Sequence, residues 1–175
     1  AAFIRDPRRI LDIGCGYGIP SAWLLELFPC ATVCGLDPDE ERVRIARHAL
    51  GSRGEVRTGK APQLDELPGE ADTALVLDVI HMLSDEEFIK TLDILKAKLV
   101  PDGRIVIRTT IPADGSRSWM GRLEEFRLKI HRLKPHYRTV AGIQAFIIAA
   151  GFYMEEVQQD GPGSEEFWFI ARTSP

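Results

Sequence analysis

Three cysteines are all that this chain of 175 residues has, and Cys15, Cys30 and Cys34 form no C-x-x-C pair. That excludes a disulfide-stapled scaffold, argues against a structural zinc site, and fits free thiols in a reducing compartment. No apolar run reaches the roughly 18 residues that a membrane-spanning helix needs. No signal-peptide pattern opens the chain, so a cytoplasmic protein is expected. The formal net charge is only −4, which argues against a dedicated nucleic-acid binder with its strongly basic face. Repeats and low-complexity tracts are also missing. The chain begins at Ala1 and reaches a strand-like segment almost at once. It reads either as trimmed at its start or as a domain cut from a longer chain, with a preceding or fused domain.

What is present is ordinary globular material, 45% apolar and 27% charged residues, enough for a single domain over 1–175 with its own core. Strand-like and helix-like segments alternate. Arg9 to Ile13, Ala31 to Leu36, a short stretch around Val56, Thr73 to Leu77 and Arg104 to Thr109 read as strands. Helices are expected from about Pro20 to Phe28, after Asp37 as N-cap with Pro38 in the first turn, and from the capping box Ser84-Asp85-Glu86-Glu87 to about Leu99. Pro101-Asp102-Gly103 should be a turn, and Thr139 to Ala150 a helix closed by Gly151. Strands alternating with helices predict an α/β, doubly wound parallel sheet. Phe152 to Gln158 and Glu166 to Thr173, joined by Asp160-Gly161-Pro162-Gly163, lie too close together for a crossover and should form an antiparallel hairpin.

The segment "RRILDIGCGYGIPSAW" carries the strongest chemical signal. Gly14, Gly16 and Gly18 follow the first strand and precede a helix, so bare backbone N–H groups can come close to a ligand. The spacing is G-x-G-x-G, and Ile19 occupies the place where dinucleotide folds prefer a glycine. Asp12 lies inside the strand, two residues before the first glycine. An acid there repels a diphosphate and suits a cation. Asp37 ends the second strand about 20 residues on, where an acid can take both ribose hydroxyls. Together these features ask for a nucleoside with a positively charged, phosphate-free tail, which S-adenosylmethionine is.

With these residues in view, the chain resembles the class I S-adenosylmethionine-dependent methyltransferases, and in particular their small-molecule, ubiquinone- and menaquinone-type branch. The resemblance runs through "ILDIGCGYG", "VCGLDPDEERVRIAR", "ADTALVLDVIHML", "LKAKLVPDGRIVI" and "RTVAGIQAFIIAAGF", in the family's order from Ile10 to Phe152. It implies a Rossmann-like, seven-stranded sheet in the order 3-2-1-4-5-7-6 with an antiparallel last strand. It also implies that Asp12 and the loop Gly14, Cys15, Gly16, Tyr17 and Gly18 cradle the methionine part of the cofactor. Asp37 would take the ribose, with Pro38 nearby, and Ala61 would offer backbone to the adenine. Asp78 and Val79 would stand near the cofactor's amino end. One departure is Lys60, which occupies a position where the family commonly has an acid accepting the adenine amino group. An ammonium group only donates, so either backbone and apolar contacts hold the adenine or Gln63 or Asp65 substitutes.

Methyl transfer needs position and electrostatics more than a catalytic side chain, and a general base only when the acceptor keeps its proton. His81 is the candidate base, because it follows the fourth strand at the edge where open α/β sheets bind ligands. Packing under the next helix is the alternative reading. Tyr17 either lines the pocket or covers the loop, and Cys15 reads as packing rather than as a nucleophile. Residues 112–138 are expected to insert a helical substrate cover. Its apolar stripe would run through Trp119, Leu123, Phe126, Ile130 and Leu133. Its arginines and lysines over 117–134 are either solvated or suited to an anionic membrane surface. "LDVIHML" replaces the N-P-P-Y type of motif, which argues against amino-methylation of DNA. The function expected is methyl transfer to a small molecule at oxygen, carbon or nitrogen. The alternatives are a non-catalytic S-adenosylmethionine-binding module of a larger protein and a nicotinamide oxidoreductase. No metal is expected.

Overall fold

The computed structural model describes residues 3–4, 6–112 and 135–175. The apolar stripe and the basic face expected over 117–134 lie outside the described residues, as does most of the 112–138 insertion. Among the described residues the regular elements follow in the order β1 (Arg9–Ile13), α1 (Ile19–Leu27), β2 (Thr32–Asp37), α2 (Glu40–Leu50), β3 (Gly54–Thr58), β4 (Ala71–Leu77), α3 (Asp85–Lys98), β5 (Leu99–Thr110), α4 (Val140–Ala149), β6 (Tyr153–Gln159) and β7 (Glu166–Arg172). They build one seven-stranded sheet in the order β3-β2-β1-β4-β5-β7-β6. The first five strands in that order are parallel neighbours. β7 runs antiparallel to both β5 and β6. The doubly wound sheet and the closing hairpin are both as the sequence predicts.

Successive strand residues point to opposite faces, and the core divides accordingly. Leu11, Ile13, Leu36 and Val76 meet Phe88, Leu92 and Leu95 of α3 and Ile143 and Ile147 of α4 on one face. Ile10, Val33, Leu75 and Val106 meet Leu24 and Leu25 of α1 and Val43, Ala46 and Leu50 of α2 on the other. β1 is apolar on both sides because helices cover both sides, as expected of a parallel central strand.

Helix starts follow local chemistry. Ser84 and Glu87 form the reciprocal capping box of α3, and the Thr139 hydroxyl accepts the Gly142 N–H at 3.1 Å at the start of α4. α2 departs from expectation. Its N-cap is Asp39, whose side chain accepts the Glu41 and Arg42 N–H groups at 3.0 and 3.1 Å. Asp37 cannot cap it, since it is still paired to Thr58 as the last residue of β2, and Pro38 precedes the helix. The turn at Pro101-Asp102-Gly103 also differs from a simple connection. Pairing with β4 already starts at Ala71–Leu99, then jumps to Thr73–Arg104. The turn is therefore a bulge inside a longer strand, with Asp102 at φ 57°.

Candidate functional site

The carboxyl ends of β1, β2 and β4 come together at the turn between β1 and α1. Gly14, Gly16 and Gly18 adopt φ of 73°, 54° and 76°, the left-handed region that glycine enters without steric cost. The alternation folds the loop tightly. The Gly14 and Cys15 N–H groups both donate to the Leu36 carbonyl, at 2.8 and 3.0 Å, and the Gly18 N–H donates to the Cys15 carbonyl at 2.9 Å. A Cβ built on Gly14 would stand 2.4 Å from Cγ2 of Val79. One built on Gly16 meets nothing within 4 Å, so the loop's open side is at Gly16.

Two acids flank this loop. Asp37 is buried, and its carboxylate accepts the Gly16 N–H and the Asp39 N–H, each at 3.0 Å. Asp12 is buried beneath the loop and accepts the Ser21 hydroxyl at 2.6 Å. Burial pushes its carboxyl up to about 6, Ser21 partly offsets the rise, and the Asp37 charge adds to it. The nearby Cys15 thiol is pushed up to about 12, chiefly by burial and then by Asp12 and Asp37. A thiol so far from ionising is packing material, in keeping with the sequence reading. Tyr17 is half exposed, with the Arg42 guanidinium 5.6 Å from its ring centre.

Beyond β3, a cleft of about 280 Å³ is lined by residues including Leu36, Thr58, Gly59, Gln63 and Asp65. Of the side chains weighed for the adenine end, Gln63 and Asp65 line this cleft, Ala61 is buried, and Lys60 is exposed. At the end of β4, Asp78 takes φ 58°. A non-glycine residue in that region stores strain of order 1–3 kcal/mol and persists only where its surroundings hold it. Here the holding groups are from β5: the Asp78 N–H donates to the Arg108 carbonyl at 2.9 Å, and the Arg108 guanidinium grips both Asp78 oxygens. Arg108 in turn lies 5.4 Å from the Trp168 ring centre.

Val79 leads from Asp78 into a single helical turn, Ile80–Met82, which carries His81. The His81 ring is largely buried and stacks on Tyr137 with 6.2 Å between centres and 19° between planes. Because Val79 also abuts Gly14, the turn bearing His81 and the glycine loop share one wall. The structure thus brings Asp12, the glycine loop, Asp37, Asp78, Val79 and His81 to one edge of the sheet. Sequence reading misses Ser21, Arg108, Tyr137 and Arg138. For Ser21 a signal exists, since a small polar residue on the buried side of an apolar helix needs a polar partner. The others meet partners far away along the chain, as Arg108 does Asp78 and Arg138 does Ile80 and Leu83, and nothing local marks them.

Residues 10–103 match the family described as the methyltransferase domain. The malonyl-[acyl-carrier protein] O-methyltransferase of Halalkalibacterium halodurans is 28% identical over 111 residues, which is 61% of this chain and 41% of that protein. An S-adenosylmethionine-dependent methyltransferase from Mesorhizobium loti has the same fold at TM-score 0.78 and 23% identity, covering 98% of this chain and 94% of that one. Human N-acetylserotonin methyltransferase, solved in complex with S-adenosylmethionine, has it at TM-score 0.73 and 19% identity, over 97% of this chain and 48% of that one. The chain spans less than half the length of the Halalkalibacterium protein and of the human enzyme. Among the described residues no helix is long and apolar enough to cross a membrane. With the family's sequence pattern over more than half its length, laid on a seven-stranded sheet in the order β3-β2-β1-β4-β5-β7-β6, the chain belongs to the methyltransferase-domain family.

Proposed function

We propose that this chain transfers the methyl group of S-adenosylmethionine to a small-molecule acceptor, with His81 taking the proton when the acceptor carries one. The observation that supports it most is the pair of buried carboxylates, Asp12 and Asp37, against a glycine loop that is open at Gly16. Asp37 suits the ribose of either kind of nucleoside, whereas Asp12 beneath the loop opposes a diphosphate and favours a cation. That is the electrostatic reason to prefer a sulfonium nucleoside over a nicotinamide dinucleotide.

The donor sulfonium supplies a methyl carbon already activated for in-line attack, with the breaking bond's electron pair returning to sulfur. The chain's own residues then bind, orient and take the proton. Asp12, held by Ser21, places negative charge under the methionine part, beside Gly14, Cys15, Gly16, Tyr17 and Gly18. The Asp37 carboxylate keeps lone pairs beyond those used by Gly16 and Asp39, and these can accept the ribose hydroxyls. Ala61 and the cleft with Gln63 and Asp65 would take the adenine, with Lys60 at its margin and Pro38 beside the ribose. Asp78 and Val79 would close the amino end. His81, on the neighbouring turn, is within the wall that an acceptor would face.

Calorimetry tests the donor first. S-adenosylmethionine or S-adenosylhomocysteine should release heat on binding and NAD should not, and the opposite pattern would overturn the proposal. Release of labelled methyl into fractionated metabolite pools then separates an enzyme from a silent binding module. His81→Gln should lower turnover with little change in cofactor affinity; full turnover in that variant removes the base role and leaves the donor assignment standing.

A further inference from the structure

Arg138 is the most heavily used buried cation among the described residues. Its side chain is 7% exposed, and it is directed at the turn that carries His81. Nη1 donates to the Ile80 carbonyl at 2.7 Å and Nη2 to the Leu83 carbonyl at 2.7 Å. These two carbonyls bracket His81 on either side. Nε donates to Asp85 in the first turn of α3 at 2.8 Å, and Nη1 also reaches the His136 carbonyl at 3.1 Å. The guanidinium plane lies near two rings, 5.2 Å from the centre of Phe88 in α3 and 5.8 Å from that of Phe146 in α4. The same short segment binds the turn twice more. The His136 N–H donates to the His81 carbonyl at 2.7 Å, and Tyr137 stacks on the His81 ring.

A desolvated guanidinium must satisfy its donors, or its burial is strongly unfavourable. Here the donors go to backbone carbonyls on both sides of one residue and to the helix that follows it. A helix N-terminus would have been capped adequately by Ser84 alone. The added clamp ties residues 80–83 to α3 through Asp85 and Phe88 and to α4 through Phe146. We propose that Arg138 is a positioning residue for the methyl-transfer site, locking the Ile80–Leu83 turn so that the His81 imidazole is held against Tyr137 and aimed at the acceptor side. The inference rests on the proposed role of His81, and it says what fixes that residue in place.

Lysine is the informative replacement. It keeps the charge, yet its three tetrahedral donors cannot span two carbonyls and a carboxylate as the planar guanidinium does. In the full chain, the imidazole carbon–proton cross-peaks of the four histidines can be recorded, and His81 assigned as the peak missing from His81→Gln. Tyr137's ring makes that peak sensitive to small movements of the turn. Arg138→Lys should move the His81 peak clearly. It should also lower kcat by about tenfold, since small misplacements of a reacting group are costly, while S-adenosylhomocysteine affinity stays within about twofold by calorimetry. A merely structural arginine would lower the thermal midpoint and leave the peak of the folded variant where it was; that result overturns the clamp. Arg138→Gln, neutral and planar, provides a second folded variant should Arg138→Lys not fold, and the same unmoved peak would count against the clamp there. If the peak moves but His81→Gln retains full turnover, the base role is lost and with it the catalytic importance of Arg138. An unmoved peak beside an inactive His81→Gln instead sinks the clamp and leaves the base role standing.

Discussion

The two walls of the candidate site are built in opposite ways. The glycine loop is made mostly by neighbours in sequence: Asp12, Gly14, Gly16, Gly18 and Ser21 lie within ten residues and backbone dihedrals shape it, with Leu36 and Asp37 of β2 taking three of its N–H groups. The His81 turn is made by residues far apart. Arg138 reaches back 55 and 58 positions to Leu83 and Ile80, and Arg108 reaches back 30 to Asp78. The first wall depends on what glycine permits; the second depends on one buried and one partly buried cation that find partners only once the sheet has formed. The walls meet where Val79 presses against Gly14.

That contact is the place to break the comparison. Gly14→Ala puts a methyl group into Val79 and forces a non-glycine residue to φ 73°. We expect a loss of at least about 3 kcal/mol in denaturant unfolding, the sum of clash and strain. Adding Val79→Ala should restore the part due to the clash and leave the backbone part. Should Gly14→Ala alone be neutral, the two walls are not in contact as described.

Asp12 sharpens the electrostatic side of the contrast. Its carboxyl sits at about 6 in the folded chain, above the unfolded value near 3.9. A raised carboxyl opposes folding when ionised, on the order of 3 kcal/mol at neutral pH, and this opposition fades as pH falls through about 6 towards 4. Cofactor binding should have the opposite sign, since a cation needs the ionised form. Affinity for S-adenosylhomocysteine, which keeps its ammonium group, should therefore fall roughly tenfold between pH 7 and pH 5. Asp12→Asn should bind more weakly at pH 7 and show a flat profile over that range. Equal slopes in the parent and the variant would show that Asp12 does not carry the dependence.

The smallest expected effect tests how local the second wall is. Ser84→Ala removes one half of the capping box at the start of α3 and should cost about 1 kcal/mol. Because Arg138 also grips this helix start through Asp85, the His81 cross-peak should barely move in Ser84→Ala, in contrast to Arg138→Lys. A large movement would assign the turn's position to the cap instead of the clamp.

Much of this was legible in the residues. A strand covered on both faces, three glycines at alternate positions, Ser84 three before Glu87, and two strands joined by a glycine-proline turn each have one favoured local conformation. Each formed as expected. The misreadings came where two acids compete for one role. Asp37 and Asp39 are equally good caps by type, and only the pairing of Asp37 with Thr58 sends the capping task to Asp39. Likewise a Pro-Asp-Gly turn looks the same whether it ends a strand or bulges within one, and the Ala71–Leu99 pair decides it.

From the sequence alone came the alternating sheet and helices, the glycine loop and Asp12 within its strand, because these depend on dihedral freedom and periodicity within a dozen residues, and Asp37 came from its spacing to that loop. Only the tertiary structure decided which carboxylate is buried with a hydroxyl, which is gripped by arginine, and what holds His81. Partner choice for a buried charge depends on which segments the fold brings within about 3 Å, and separation along the chain carries no record of that.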